Sequence, residues 1–231
     1  MVQARDNCEA GPIVLHEVTV RYGLQVALER VSGQFPPASL TAVVGANGAG
    51  KSTLLAAIAG GLRLAGGSVE RPIGGRLGFL PQRAAVDTSY PVTVAELVAL
   101  GGWRQFGAFR ALPASVRARA TEAAAIVGLH GNLERRIGAL SAGELQRALF
   151  ARLILEDPAA ILMDEPFAAV DAQTTTVLMD QLIRWHRDGR TLIVVLHDLA
   201  LVRAWFPTTV VLARRCLSWG PTESALRVMA A

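Results

Sequence analysis

The residues of this chain best suited to chemistry stand at Gly45-Ala46-Asn47-Gly48-Ala49-Gly50-Lys51-Ser52-Thr53. Three glycines followed by a lysine and two hydroxyls suit one task, the holding of phosphate. Glycine admits the backbone angles that turn successive N–H groups around an anion, and it keeps side chains out of the cradle. A helix starting just beyond would aim its positive end at the same anion. Lys51 would neutralise the β- and γ-phosphates, and the Ser52 hydroxyl would ligate Mg²⁺. Lys51 is the one lysine in the chain. Arginine fills every other basic position, so a compact ammonium is required here. No Asn-Lys-x-Asp guanine reader occurs, which favours ATP over GTP.

Two further clusters carry charge. The apolar run Ala160-Ile161-Leu162-Met163 ends in Asp164-Glu165-Pro166. Ligands of open α/β sheets sit at the carboxyl ends of strands, and two acids there need compensation that Mg²⁺ and nucleotide supply. Asp164 would hold Mg²⁺, and Glu165 would orient or deprotonate the attacking water. Successive strand residues point to opposite faces. Pro166 favours an extended Glu165, and the strand end is where its side chain can be re-aimed. The second cluster, Ser141-Ala142-Gly143-Glu144, is a capping box opening a helix. A helix start with small residues is also an anion site.

A frame must bring these groups together. Composition and spacing predict strands at 13–21, 26–31 and 39–44, the last running into the glycine-rich loop. A helix follows at 52–59, ended by Gly60-Gly61, with a turn at Gly66-Gly67 and a short buried strand at 77–80. Alanine-rich helical stretches at 94–100 and 114–127 form a block inserted between strands. Strands return at 159–163 and 191–196, separated by a helix at 173–187. That alternation gives an α/β core with parallel strands.

Composition limits the alternatives. The chain has 231 residues and a hydrophobic fraction of 52 %, in which alanine is the commonest residue. No uninterrupted apolar run reaches the ~18 residues of a membrane span. The net charge of +4 comes from scattered arginines such as Arg104, Arg117 and Arg119, which reads as solvated helix face, not as a nucleic-acid surface. Cys8 and Cys216 lie far apart, and His16, His130, His186 and His197 form no cluster with metal-ligand spacing. Free thiols and an N-terminus without a signal-peptide core point to the cytosol.

Together the motifs resemble the ATP-binding subunit of an ABC (ATP-binding cassette) transporter, over nearly the whole chain and in the family's order. Gly45 to Ser52 matches its Walker A pattern, and Leu140-Ser141-Ala142-Gly143-Glu144 resembles its signature sequence. There Ala142 replaces the usual glycine and Glu144 the usual glutamine. The resemblance implies a single cassette, an α/β P-loop NTPase with a RecA-like core. An antiparallel β subdomain and an inserted α-helical subdomain would complete it. Residues 13–86 and 148–231 would form the core, and 87–147 the helical part.

The resemblance also implies roles. Tyr22 would stack on adenine, and Gln82 would touch Mg²⁺ or the attacking water. Asp171, in the D-loop, would lie at a dimer interface, besides capping the next helix. His197 would hold the γ-phosphate. Two copies would face head to tail, each ATP lying between one Walker A loop and the other copy's Ser141 to Glu144. Polytopic permease subunits at the cytoplasmic face of the membrane, and indirectly a solute-binding protein, would be the partners. Ser89-Tyr90-Pro91-Val92-Thr93-Val94 and Leu100-Gly101-Gly102 resemble metal and metal-chelate importers. Asp164-Glu165-Pro166-Phe167-Ala168-Ala169-Val170-Asp171 resembles the zinc and manganese uptake branch. The alternatives are an iron-chelate or haem importer and a non-transport ABC ATPase. Fewer than a hundred residues separate Lys51 from Ser141, too few for the coiled-coil arms of DNA-repair relatives.

Overall fold

A computed structural model describes residues 11–72, 76–82, 86–107, 111–129, 131, 133–168 and 170–229. Cys8, His130 and Ala169 lie outside that set. The described residues group into two compact units: one within Met1–Leu77, Ala159–Asp164 and His186–Ala231, the other within Gly78–Pro158 and Glu165–Trp185. The segment expected to be helical, 87–147, falls inside the second.

The first unit holds two sheets. In one, β1 (Ile13–Tyr22) pairs antiparallel with β2 (Gln25–Phe35) and with β4 (Gly66–Glu70), in the order β2-β1-β4. Alternation along β1, slipped by one residue at a bulge between Leu15 and Val18, buries Ile13, Leu15, Val18 and Val20. In the other sheet, β6 (Ala160–Asp164), β7 (Thr191–Val195), β3 (Leu40–Val44) and β8 (Thr208–Ala213) lie side by side and parallel. Strand β9 (Arg215–Pro221) returns antiparallel to β8. Every residue of β3, β6 and β7 is buried, which explains why these strands read as continuous apolar runs. Helix α1 (Lys51–Ala59) buries Leu54, Leu55, Ala57 and Ile58. Its C-terminal carbonyls are closed by Gly60 and by Arg71, whose guanidinium donates to Ile58 O (2.6 Å) and Ala57 O (2.9 Å).

The chain enters the second unit along β5 (Leu77–Leu80). Thr93 and Glu96 form a capping box on α2 (Val94–Ala99). A short α3 (Trp103–Phe106) leads to α4 (Ala114–Ile126), which packs on α5 (Ala142–Glu156). The buried face of α4 is Val116, Ala120, Ala123 and Ala124. Alanine at helical spacing lets two helices approach closely, and it accounts for much of the apolar composition. Helix α6 (Ala172–Arg187) closes the unit, with Trp185 stacked on Phe150 of α5 at 6.1 Å between ring centroids.

The structure departs from the sequence reading in three places. Gly66-Gly67 opens a strand, not a bare turn, because β4 finds partners on β1 (Leu15 with Val69, His16 with Ser68). Beyond position 196, where no element was expected, come α7 (Leu199–Trp205), β8, β9 and α8 (Thr222–Ala225). Glu165 is not extended: its φ is +50°. The chain turns off β6 at that residue, and Ala168 N–H closes the turn on Glu165 O at 3.1 Å. This left-handed geometry is costly for a residue that precedes proline. Among the described residues, no helix is long and apolar enough to cross a membrane.

Candidate functional site

In the first unit, strand register aligns three chain segments on one sheet edge. Val43 pairs with Val195, and Asp164 pairs with the same Val195. Parallel strands stand about 4.8 Å apart. The loop leaving β3, His197 just past β7 and Asp164 at the end of β6 therefore emerge within about 10 Å of sheet width.

The loop from Gly45 to Gly50 is shaped by its neighbours. A Cβ at Gly50 (φ +94°) would lie 2.6 Å from Ala27 O, and one at Gly45 would lie 2.2 Å from Leu212 O. Only glycine fits at either end. Lys51 is 6 % exposed, and its ammonium donates to Gly45 O (2.8 Å) and Ala46 O (2.9 Å). Ala49 N–H donates to Ala46 O at 3.1 Å. The carbonyls of Gly45 and Ala46 are thus engaged by protein donors, which prepares the loop for an anion. Asn47, Gly48 and Ser52 are exposed, and Thr53 is half-buried. Asp164 is 3 % exposed, Tyr22 at the end of β1 is 54 % exposed, and His197 is exposed.

The second unit holds the remaining residues. Gln82 Nε2 donates to Glu165 Oε2 at 3.1 Å, joining two positions 83 apart in sequence. Ser141 and Glu144 form the expected capping box on α5: Glu144 N–H donates to Ser141 Oγ (3.2 Å), and Ser141 N–H donates to Glu144 Oε2 (2.8 Å). Ala142 and Gly143 occupy the first turn of α5. Asp171 caps α6, accepting from Thr174 N–H (2.7 Å) and Thr174 Oγ1 (2.9 Å). These two bonds hold its carboxyl below the usual range, and Arg147 of α5 adds to the effect.

Sequence reasoning missed two arginines in this unit. Arg135 donates to Glu144 Oε1 at 2.8 Å and to Ala139 O at 2.6 Å, tying the segment before α5 to its first turn. Arg147 donates to Gly128 O at 3.3 Å and faces Asp171. A charge three or more turns away by an irregular path leaves no periodic signal, so neither was legible.

The Ser141 N–H, followed by the Ser141 hydroxyl and Arg135, lowers the pKa of Glu144 against the opposing effect of burial. A carboxyl with a depressed folded-state pKa adds stability that is present above its unfolded value near 4.3 and lost as pH falls through the folded value. Glu144→Gln keeps a capping side chain but no titrating charge. We expect its melting temperature to fall less than that of the wild type between pH 6 and 3, as followed by circular dichroism. Parallel curves would refute the linkage.

Ser52 and Asp164 offer hard oxygen donors of the kind Mg²⁺ takes. Among the described residues, no group of three His, Cys, Asp or Glu is placed to hold a metal ion.

Comparison with known proteins gives this arrangement a family. A family profile described as "ABC transporter" matches residues 28–168. The chain is 37 % identical to the zinc transport system ATP-binding protein TroB of Treponema pallidum, over 96 % of this chain and 86 % of that one. It is 34 % identical to the manganese transport system ATP-binding protein MntB of Bacillus subtilis, over 94 % of this chain and 89 % of that one. Among solved structures, a dimeric bacterial ABC transporter cassette superposes with a TM-score of 0.80 at 25 % identity, covering 91 % of this chain and 98 % of that one. A cassette in a post-hydrolysis state, bound to ADP and Pi, gives the same TM-score of 0.80 at 24 % identity. With the profile match over 28–168 and relatives above 30 % identity along most of its length, this chain belongs to the ABC transporter family as one of its ATP-hydrolysing cassettes.

Proposed function

We propose that this chain hydrolyses ATP at a site built on Gly45 to Thr53, and that it drives an importer of a transition-metal ion of the zinc and manganese class. The register that aligns the loop, Asp164 and His197 on one sheet edge supports the site. The names of the relatives support the cargo.

The loop's backbone from Gly45 to Gly50, with Lys51, holds the phosphates, and the Tyr22 ring stacks on adenine. Ser52, Asp164 and Gln82 would hold Mg²⁺, which would neutralise phosphate charge when bound. Glu165 takes a proton from water as its oxygen attacks the γ-phosphorus and ADP departs. His197 hydrogen-bonds the transferred phosphoryl group, and charge stabilisation of this kind carries most of phosphoryl-transfer catalysis. Ser141, Ala142, Gly143 and Glu144 present the N-terminus of α5 to the ATP held by a second copy, and Asp171 lies at that dimer contact.

Tyr90 (66 % exposed), Leu100 (47 %) and Trp103 (45 %) leave apolar surface on the second unit. Exposed apolar side chains of this kind suit docking of an apolar partner, here permease subunits at the cytoplasmic face of the membrane, which a solute-binding protein would supply. The test is cell metal content. Cells lacking this chain should accumulate less zinc or manganese, measured by elemental mass spectrometry, with recovery from the wild type and none from Lys51→Ala. Unchanged zinc and manganese with reduced iron or haem would overturn the cargo in favour of a chelate importer.

A further inference from the structure

Arg214 is one of six described non-glycine residues with a positive φ, at +61°. It forms the corner between β8 and β9, where Ala213 pairs with Arg215. A left-handed corner commonly calls for glycine or asparagine, so an arginine here is a cost the surroundings sustain. Its backbone makes two long-range bonds. Arg214 N–H donates to Ala49 O in the phosphate loop at 2.8 Å, and Arg214 O accepts from Glu29 N–H of β2 at 2.7 Å.

Strand β8, which ends at this residue, and strand β2, which its carbonyl engages, also wall the loop. Gly45 lies against Leu212 O of β8, and Gly50 lies against Ala27 O of β2. Phe35 of β2 and Trp219 of β9 pack with ring centroids 4.5 Å apart, joining β2 to the strand that leaves Arg214. Lys51 holds the carbonyls of Gly45 and Ala46, and Arg214 holds that of Ala49. A carbonyl left to swing toward a bound phosphate would repel it. The guanidinium is exposed and takes no part in these bonds.

We infer that Arg214 is a positioning residue for ATP binding, acting through its left-handed backbone, which holds the Ala49 carbonyl and ties the phosphate loop to β2. This rests on the reading that the loop is the ATP site. The conformation, not the side-chain charge, is what matters.

The test titrates a fluorescent ATP analogue with Mg²⁺ into the purified full chain and its variants. Arg214→Val, whose branched side chain resists a left-handed φ, should raise Kd about tenfold. Arg214→Gly and Arg214→Asn, which tolerate that φ, should recover the affinity that valine loses. Should the valine variant fail to fold, Arg214→Ala carries the comparison with glycine. Equal losses in all variants would assign the effect to the guanidinium and overturn the inference. A lowered melting temperature with unchanged Kd would overturn it too. Lys51→Ala separates the two levels. If Lys51→Ala weakens binding and Arg214→Val does not, the positioning role fails alone. If neither weakens binding, the loop assignment fails with it.

Discussion

Glu165→Gln binds ATP as the wild type does and hydrolyses it about a thousandfold more slowly, the middle of the range for a lost general base. Glutamine has nearly the same shape as glutamate. It can adopt the same turn at φ +50° before Pro166 and keep an oxygen toward Gln82 Nε2, the contact now made at 3.1 Å. What it cannot do is take a proton from water. The substitution therefore leaves geometry and binding in place and removes one chemical step. Phosphate release measured at saturating ATP gives the rate, and a nucleotide titration gives the affinity. With ATP present, size-exclusion chromatography should show the variant trapped as a dimer. Unchanged hydrolysis would remove Glu165 from the reaction. Glu165→Asp adds a geometric control, because a carboxylate one methylene shorter keeps the charge and loses the reach.

Lys51→Ala has the second large effect, on binding. Lys51 is 6 % exposed, and its ammonium donates to two loop carbonyls, Gly45 O and Ala46 O. Its removal frees the carbonyls it holds and, on the proposed reading, deletes the cation for the phosphates. Hydrogen bonds to charged groups contribute about 1.5–3 kcal/mol each, so Kd for ATP should rise by at least about tenfold. Lys51→Arg should rescue little of this, because a planar fork does not fit where a compact ammonium meets two carbonyls at 2.8 and 2.9 Å. Normal ATP affinity in either variant would count against the loop as the nucleotide site.

Gly45 to Ser52 and the run ending at Asp164 were legible because both are local. A phosphate cradle needs glycines at fixed spacing, and a fully buried parallel strand needs an unbroken apolar run. The capping box at Ser141–Glu144 and the cap at Asp171 belong to the same class, since a cap bonds within three residues of itself. Strand β4 escaped because glycine composition argues for a turn, and only its pairing with β1 makes it a strand. The backbone of Glu165 was misjudged because the preference of a residue before proline is weak beside the turn closed by Ala168.

The chemistry of phosphate, lysine and carboxylate was thus written in the order of the residues, because each motif works over fewer than ten positions. Which motifs meet was not. Val195 standing between Val43 and Asp164, Gln82 reaching Glu165 across 83 positions, and Arg214 bracing Ala49 are all contacts between distant segments. Such contacts follow from strand order and register, which form only when buried surfaces pack, and no local pattern of residue types encodes them.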